Sequence, residues 1–147
     1  MEEKLKYIVR VISTDLIGKD ALIHSLTKIK GVSYSMSNAI CASLKLDKNK
    51  KTGSLKDEEV KKIEEVIKSP KNIPTWLLNR QKDPDSGEDR HLATSDLKLR
   101  KEFDIKRLRK IKSYRGFRHG VGLPSRGQRT KSNFRKGKSL GVKRKKK

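Results

Sequence analysis

The sequence predicts a mainly α protein: a small helical body, a short insertion hairpin, a long helix and an extended basic C-terminal tail. Three observations lead there. Apolar residues recur at helical spacing in four separate stretches. A segment rich in Pro, Gly and Asp interrupts that pattern between residues 70 and 95. Finally, 39 Lys and Arg against 17 Asp and Glu give a net charge of +22, and the excess is unevenly placed. Residues 1–104 carry 21 of the basic residues and all the acids, whereas 105–147 carry 18 basic residues and no acid. Only ten hydrophobic residues lie in that last stretch, too few to offset the entropy of ordering it alone. The predicted organisation is a body over 1–94 with an insertion at 70–94, a connecting helix over 95–112 and an extended basic tail over 113–147.

The elements follow in order. Tyr7-Ile-Val-Arg-Val-Ile12 is rich in β-branched residues and predicts a short strand or extended arm. Asp20 is placed to cap a helix running to Lys30, with Leu22, Leu26 and Ile29 on one face and Gly31 at its end. Ser33 or Ser35 is placed to cap a second helix presenting Met36, Ile40 and Leu44. Cys41 beside that face is a small core residue, with no base paired to it. After a basic loop, Ser54-Leu-Lys-Asp57 resembles a capping box, and Val60, Ile63 and Ile67 form the next stripe. Glu58 and Glu59 suit the positive end of that helix, and Ser69-Pro70 stops it.

In the insertion, Trp76 is expected to be a local packing anchor and His91 a surface or hairpin residue. Ser95 to Lys112 predicts the longest helix. Leu97, Ile105, Leu108 and Ile111 lie on one side of it and Leu99 and Phe103 on the other, so it should pack against two things.

Composition excludes several classes. No apolar run approaches the roughly 18 residues of a membrane span. The start, Met1-Glu2-Glu3-Lys4, has no apolar core of a secretion signal. One cysteine allows no internal disulfide and no cysteine zinc site, and His24, His91 and His119 show no metal spacing. No cofactor or metal is expected, and the cell interior is the default compartment. The charge asymmetry suggests a polyanionic partner and argues against an enzyme for small neutral substrates.

The chemistry concentrates in residues 112–133. Arg-Gly-x-Arg occurs at Arg115–Arg118 and again at Arg126–Arg129, and six of the ten glycines lie between Gly116 and Gly141. Arginine presents a planar fork that grips two phosphate oxygens, and glycine lets backbone approach a polyanion. Tyr114, Phe117 and His119 are able to stack on unpaired bases. Gln128, Thr130, Ser132 and Asn133 add neutral donors. Lys112, Lys131 and Arg135 extend the cationic surface, and Lys143, Arg144, Lys145, Lys146 and Lys147 end the chain as a phosphate contact, a localisation signal or a solvated end. A merely solvated tail needs charge but neither two such units nor interleaved aromatics.

Tyr114-Arg-Gly-Phe-Arg-His119 followed by Gly122-Leu-Pro-Ser-Arg-Gly-Gln-Arg-Thr-Lys131 closely resembles the signature of the universal small-subunit ribosomal protein thirteen family. Ile29-Lys-Gly-Val32 is similar to that family's helix-hairpin-helix turn, with Ser33 where a second glycine is common. Gly53-Ser-Leu-Lys-Asp-Glu-Glu-Val60 resembles the start of its next helix. Ile73-Pro-Thr-Trp-Leu-Leu-Asn-Arg-Gln-Lys-Asp83 resembles an insertion of archaeal and eukaryotic members, and Leu140-Gly-Val-Lys143 fits that branch. The resemblance implies a body with a helix-two-turns-helix core and no catalysis. It implies a cytoplasmic ribosomal protein of the subunit head that binds small-subunit rRNA and contacts tRNA near the decoding sites. It also implies pairing with small-subunit ribosomal protein nineteen and bridges to the large subunit, one through large-subunit ribosomal protein five. By motif, Arg115, Arg118, His119, Arg126, Arg129 and Lys131 would contact RNA. The rival readings are a nonspecific DNA-packaging protein and a base-excision glycosylase. The second calls for a catalytic N-terminal proline or similar amine-bearing start, acidic catalysts and usually a zinc finger, whereas this sequence starts Met-Glu-Glu-Lys and has one cysteine.

Overall fold

The computed structural model describes residues 5–131. The chain divides into two compact units, residues 1–100 and 101–147. The fold is mainly helical with one two-stranded sheet, in line with the predicted class.

In the first unit, β1 (Ile8–Val11) pairs antiparallel with β2 (Thr14–Ile17), Val9 opposite Leu16. The first strand follows from its β-branched run; its partner, four residues long, is too short to show an alternation. Val9, Val11 and Leu16 point inward, while Ile8 and Ile17 remain exposed. The intervening turn puts Ile12 and Ser13 at positive φ (41° and 58°), and Glu64 holds it by accepting the Ile12 amide at 2.9 Å.

The first predicted helix is shorter than its apolar spacing suggests. Helix α1 covers only Leu22–Leu26, and Ala21, not Asp20, stands at its N-cap. Asp20 instead pairs with Lys28. Leu22, Leu26 and Ile29 are nevertheless fully buried, so the spacing read the burial correctly even where the backbone turns. Helix α2 (Tyr34–Ser43) starts as predicted at Ser33, whose hydroxyl accepts the Met36 amide at 3.4 Å. The serine that replaces a second glycine is therefore the cap of this helix.

A 3-10 turn at Thr52–Ser54 precedes α3 (Asp57–Lys68), whose N-cap is Lys56 and not Ser54 at the head of the predicted capping box. Glu59 accepts the Lys56 amide at 2.9 Å, supplying the reach-back half of a capping box. Leu22, Leu26, Ile29, Met36, Ile40, Cys41, Leu55, Ile63 and Ile67 form a core in which each side chain is at most 2% exposed. Burial also pushes the Cys41 thiol pKa up, which suits a packing residue and not a nucleophile.

The insertion closes on itself through a reciprocal backbone pair, Arg80 with Arg90 at 3.1 and 2.7 Å. Asn79 then acts as a stitch. Its side-chain nitrogen donates to the Leu92 carbonyl at 2.7 Å and its oxygen accepts the Leu92 amide at 2.9 Å. Thr94 donates to the Lys30 carbonyl at 2.8 Å, so the end of the insertion lies against the α1–α2 turn. Gly31 there has φ +104°, and a Cβ on it would meet the Leu92 carbonyl oxygen at 2.5 Å. In this turn glycine is thus required by the insertion lying on it.

Two expectations for the insertion are corrected. Trp76, in a 3-10 turn at Thr75–Leu77, is 72% exposed and anchors nothing. His91 is not at the surface; it is 6% exposed. It lines a cleft with Ile67, Ile73 and Ala93, which are drawn together from three separate segments. Sequence proximity to the loop does not reveal such company.

Helix α4 (Thr94–Lys110) matches the predicted long helix, but none of its residues is buried. Leu99 and Phe103 are 52% and 47% exposed. Leu97, Ile105 and Leu108 on the other side are half-buried, so among the described residues one side of the helix is partly covered and not two.

Candidate nucleic-acid interface

In the second unit the chain breaks at Lys112, where φ is +54°. The stretch predicted to be extended begins instead with helix α5 (Tyr114–Val121). Its limits are set by two residues. Ser113 accepts the Gly116 amide at 3.1 Å while its own hydroxyl donates to the Leu108 carbonyl at 3.0 Å. Gly122 adopts φ +73°, and the Leu123 amide returns to the Arg118 carbonyl at 2.9 Å. These are an N-cap and a left-handed C-cap. Two internal glycines, poor helix formers, hid the helix from a reading by propensity.

Those glycines have a packing role. A Cβ on Gly116 would lie 2.3 Å from the Leu108 carbonyl oxygen, so only glycine lets α5 sit against the last turns of α4. One turn on, Gly120 faces the Arg109 guanidinium, 3.3 Å from a Cβ built there. With its inner face made of glycine, α5 presents its larger side chains outward. Arg115 and His119 lie one turn apart and are exposed. Tyr114 and Phe117 are 63% and 65% exposed.

Arg118 is held more firmly than its neighbours. Its guanidinium carbon lies 5.9 Å from the centre of the Tyr114 ring, and its Nε donates to the Pro124 carbonyl at 2.9 Å. It therefore fixes the Gly122-Leu-Pro turn to the helix as well as supplying charge. Gln128 likewise has a local role, since its Oε1 accepts the Arg126 amide at 3.0 Å and closes the turn in which Gly127 sits at φ +74°. Lys112, Arg126, Arg129 and Lys131 are exposed.

A groove of about 380 Å³ runs along the glycine side of α5, lined by Arg109, Lys112, Gly116, Phe117, Gly120 and Val121. Arg109 was outside the predicted set; its three-residue spacing to Lys112 and the Gly116/Gly120 pair are the signals that point to it. The arrangement offers phosphate-gripping cations beside exposed aromatic rings, with no acid from residue 105 onward. The structure brings together Lys112, Tyr114, Arg115, Arg118 and His119 on or beside one short helix. Arg126, Gln128, Arg129 and Lys131 follow in the loop after it. Arg135 and Lys143–Lys147 lie outside the described residues. Among the described residues no group of three or more His, Cys, Asp or Glu side chains is placed to hold a metal, and no helix is long and apolar enough to cross a membrane.

Comparison with known proteins bears on the same stretch. Residues 10–136 match the family described as ribosomal protein S13/S18. The chain is 50% identical to small ribosomal subunit protein uS13 of Methanothermobacter thermautotrophicus, over 99% of each chain. It is 53% identical to that of Methanocaldococcus jannaschii, over 98% of this chain and 97% of the relative. With that of Saccharolobus solfataricus the identity is 45%, over 99% and 90%. The chain belongs to the ribosomal protein S13/S18 family, and with that membership comes a structural, non-catalytic role in the small subunit of the cytoplasmic ribosome.

Proposed function

We propose that the chain binds small-subunit rRNA in the subunit head, with its C-terminal segment as the principal RNA-binding element. The observation that carries this reading is the surface of α5 and its following loop. There Arg115, Arg118 and His119 share one short helix with exposed Tyr114 and Phe117, and exposed Arg126, Arg129 and Lys131 follow, in a stretch without acids. Lys112, Tyr114 and Gln128 complete the interface, and Arg135 with the lysine-rich end extends it by motif. In keeping with the family resemblance, the same segment contacts tRNA near the decoding sites. The body pairs with small-subunit ribosomal protein nineteen and bridges to large-subunit ribosomal protein five.

The mechanism is electrostatic. Lys and Arg release counterions from phosphate, and the basic segment is ordered as it binds. With about eight phosphates neutralised, log affinity falls with log salt at a slope near −6 to −7. Filter binding of the full chain to head rRNA across a salt series tests this. Arg129→Ala is expected to weaken binding and flatten the slope by about 1. Arg118→Ala should do the same and also loosen the Pro124 turn. An unchanged slope in both variants would sink the phosphate-contact reading, and equal affinity for duplex DNA would favour a packaging role.

A further inference from the structure

The first unit contains a second feature that the basic segment does not explain. Between the end of α3 and the insertion lies an open cleft of about 560 Å³, within the roughly 300–1,000 Å³ typical of ligand clefts. Its floor is apolar, made by Ile67, Ile73, Leu78 and Ala93. His91 stands in its wall, 6% exposed, and neither Nδ1 nor Nε2 has a hydrogen-bond partner. A buried polar pair left unsatisfied costs stability and is uncommon in folded proteins. Burial lowers the His91 pKa, so the ring is neutral near pH 7 and offers one donor and one acceptor. Its nitrogens are covered in the structure, and reaching them takes a side-chain rotation of the kind common on binding.

The rim has a definite chemistry. Lys68 and Lys71 are exposed at the mouth, and neither forms an ion pair among the described residues. Arg90, also at the mouth, is already paired with Glu88 at 2.6 Å. Two carboxylates, Asp89 and Asp96, line the cleft as well. Asp89 uses its Oδ1 to accept the Lys82 amide at 2.7 Å.

We propose that this cleft takes a nucleobase bearing an exocyclic amino group, extruded from RNA as an unpaired nucleotide. The proposal rests on the reading that the chain binds rRNA and adds to it a second, base-selective site in the body. A base has flat faces that suit an apolar floor and an edge whose donor or acceptor can meet one nitrogen of a neutral imidazole. Its amino group donates to the carboxylates, as cytosine N4 does to Asp or Glu. The attached phosphate lies at Lys68 and Lys71. Uracil, with a single N3–H and no amino group, answers fewer of the carboxylate oxygens. A peptide would satisfy the floor but has no phosphate for the two lysines.

The full chain, labelled at Ile and Ala methyls, is titrated separately with AMP, GMP, CMP, UMP and ribose 5-phosphate and followed by NMR. Saturable shifts at Ile73 and Ala93 are expected with at least one amino-bearing nucleotide. UMP should bind about tenfold more weakly, and ribose 5-phosphate should leave these methyls unmoved. His91→Phe should abolish the shifts while core methyls such as Ile40 keep their positions. If that variant fails to fold, Lys68→Ala/Lys71→Ala, both at exposed positions, decides: weaker binding supports the site and unchanged binding overturns it. Absence of shifts with every nucleotide, equal shifts with ribose 5-phosphate, or UMP as tight as CMP overturns the proposal, as does displacement of CMP by an acidic peptide alone. The outcome is separable from the tail's. Salt-dependent rRNA binding lost in Arg129→Ala, with cleft methyls unmoved, refutes only this site. Cleft shifts with CMP in a chain that fails to bind rRNA refute only the tail reading.

Discussion

Helices α1 to α3 of the body and helices α4 and α5 that follow the insertion differ in what they bury. In the first, α1, α2 and α3 place seven apolar side chains at most 1% exposed in one core. In the second, α4 buries no residue and α5 buries only Gly116. The body is thus held by its own apolar contacts, whereas the basic region is held by caps, two glycines and an arginine on a proline carbonyl. Hydrophobic burial scales with area, and caps contribute about 1 kcal/mol each, so the two regions should respond differently to similar changes.

The largest expected effect is in the core. Ile63→Ala should lower the stability of the body by about 2–5 kcal/mol in chemical denaturation. Phe117→Ala, at a ring 65% exposed, should change it by less than about 0.5 kcal/mol. Comparable losses would mean that α5 is buried in the free chain and would erase the contrast.

A glycine pair sharpens it within the body. Gly31 and Gly87 both have positive φ, at 104° and 74°, but only Gly31 would drive a Cβ into backbone. Gly31→Ala should cost about 1–3 kcal/mol, and Gly87→Ala, with nothing within 4 Å, distinctly less. Equal losses by thermal denaturation would show that backbone conformation alone matters there.

A third test uses acid. The Asp83 side chain, 8% exposed, accepts from Arg100 at 2.6 Å and from Arg80 at 3.1 Å. The Arg100 guanidinium foremost, opposed by burial and aided by Arg80, lowers its pKa from 3.8 to about 2. A lowered folded pKa means the ionised form is stabilised by folding. That stability is present above pH 3.8 and fades as pH falls toward 2. Asp83→Asn should be less stable than the parent at pH 7, and the gap should narrow on acidification. A gap independent of pH would remove the ion-pair account. The smallest effect is expected at Ser125→Ala, which should leave rRNA affinity within about twofold, since isolated surface changes rarely exceed about 0.5 kcal/mol.

How much of the molecule was legible in the sequence depended on where a residue's partners lie. Leu22, Leu26 and Ile29 announced their burial by spacing, although the helix stops at Leu26. Ser33 announced itself as a cap because the amide it accepts is three residues away. The basic segment was legible as chemistry, because charge, arginine-glycine units and aromatics are visible without coordinates. Its helix was not, because Gly116 and Gly120 lower propensity for a packing reason that appears only when Leu108 and Arg109 are in place. His91 and Trp76 were misread for a related reason. Their environments are built by distant segments or, for Trp76, by none, and a loop's composition says little about which of its side chains turns inward.

The Asn79 stitch has a consequence for how the chain tolerates added length. By bonding both the amide and the carbonyl of Leu92, one side chain mimics a paired strand and pins the neck of a loop whose tip, Gly87, is open. Residues spliced in at Ser86–Gly87 lengthen a loop whose ends are already fixed, and each doubling of its length costs only about 0.6 kcal/mol in closure entropy. The same residues placed between Leu92 and Thr94 would part the neck from the Lys30 carbonyl and undo the seat on Gly31. A few residues of chain thus separate a position suited to carrying a peptide label from one that must keep its spacing.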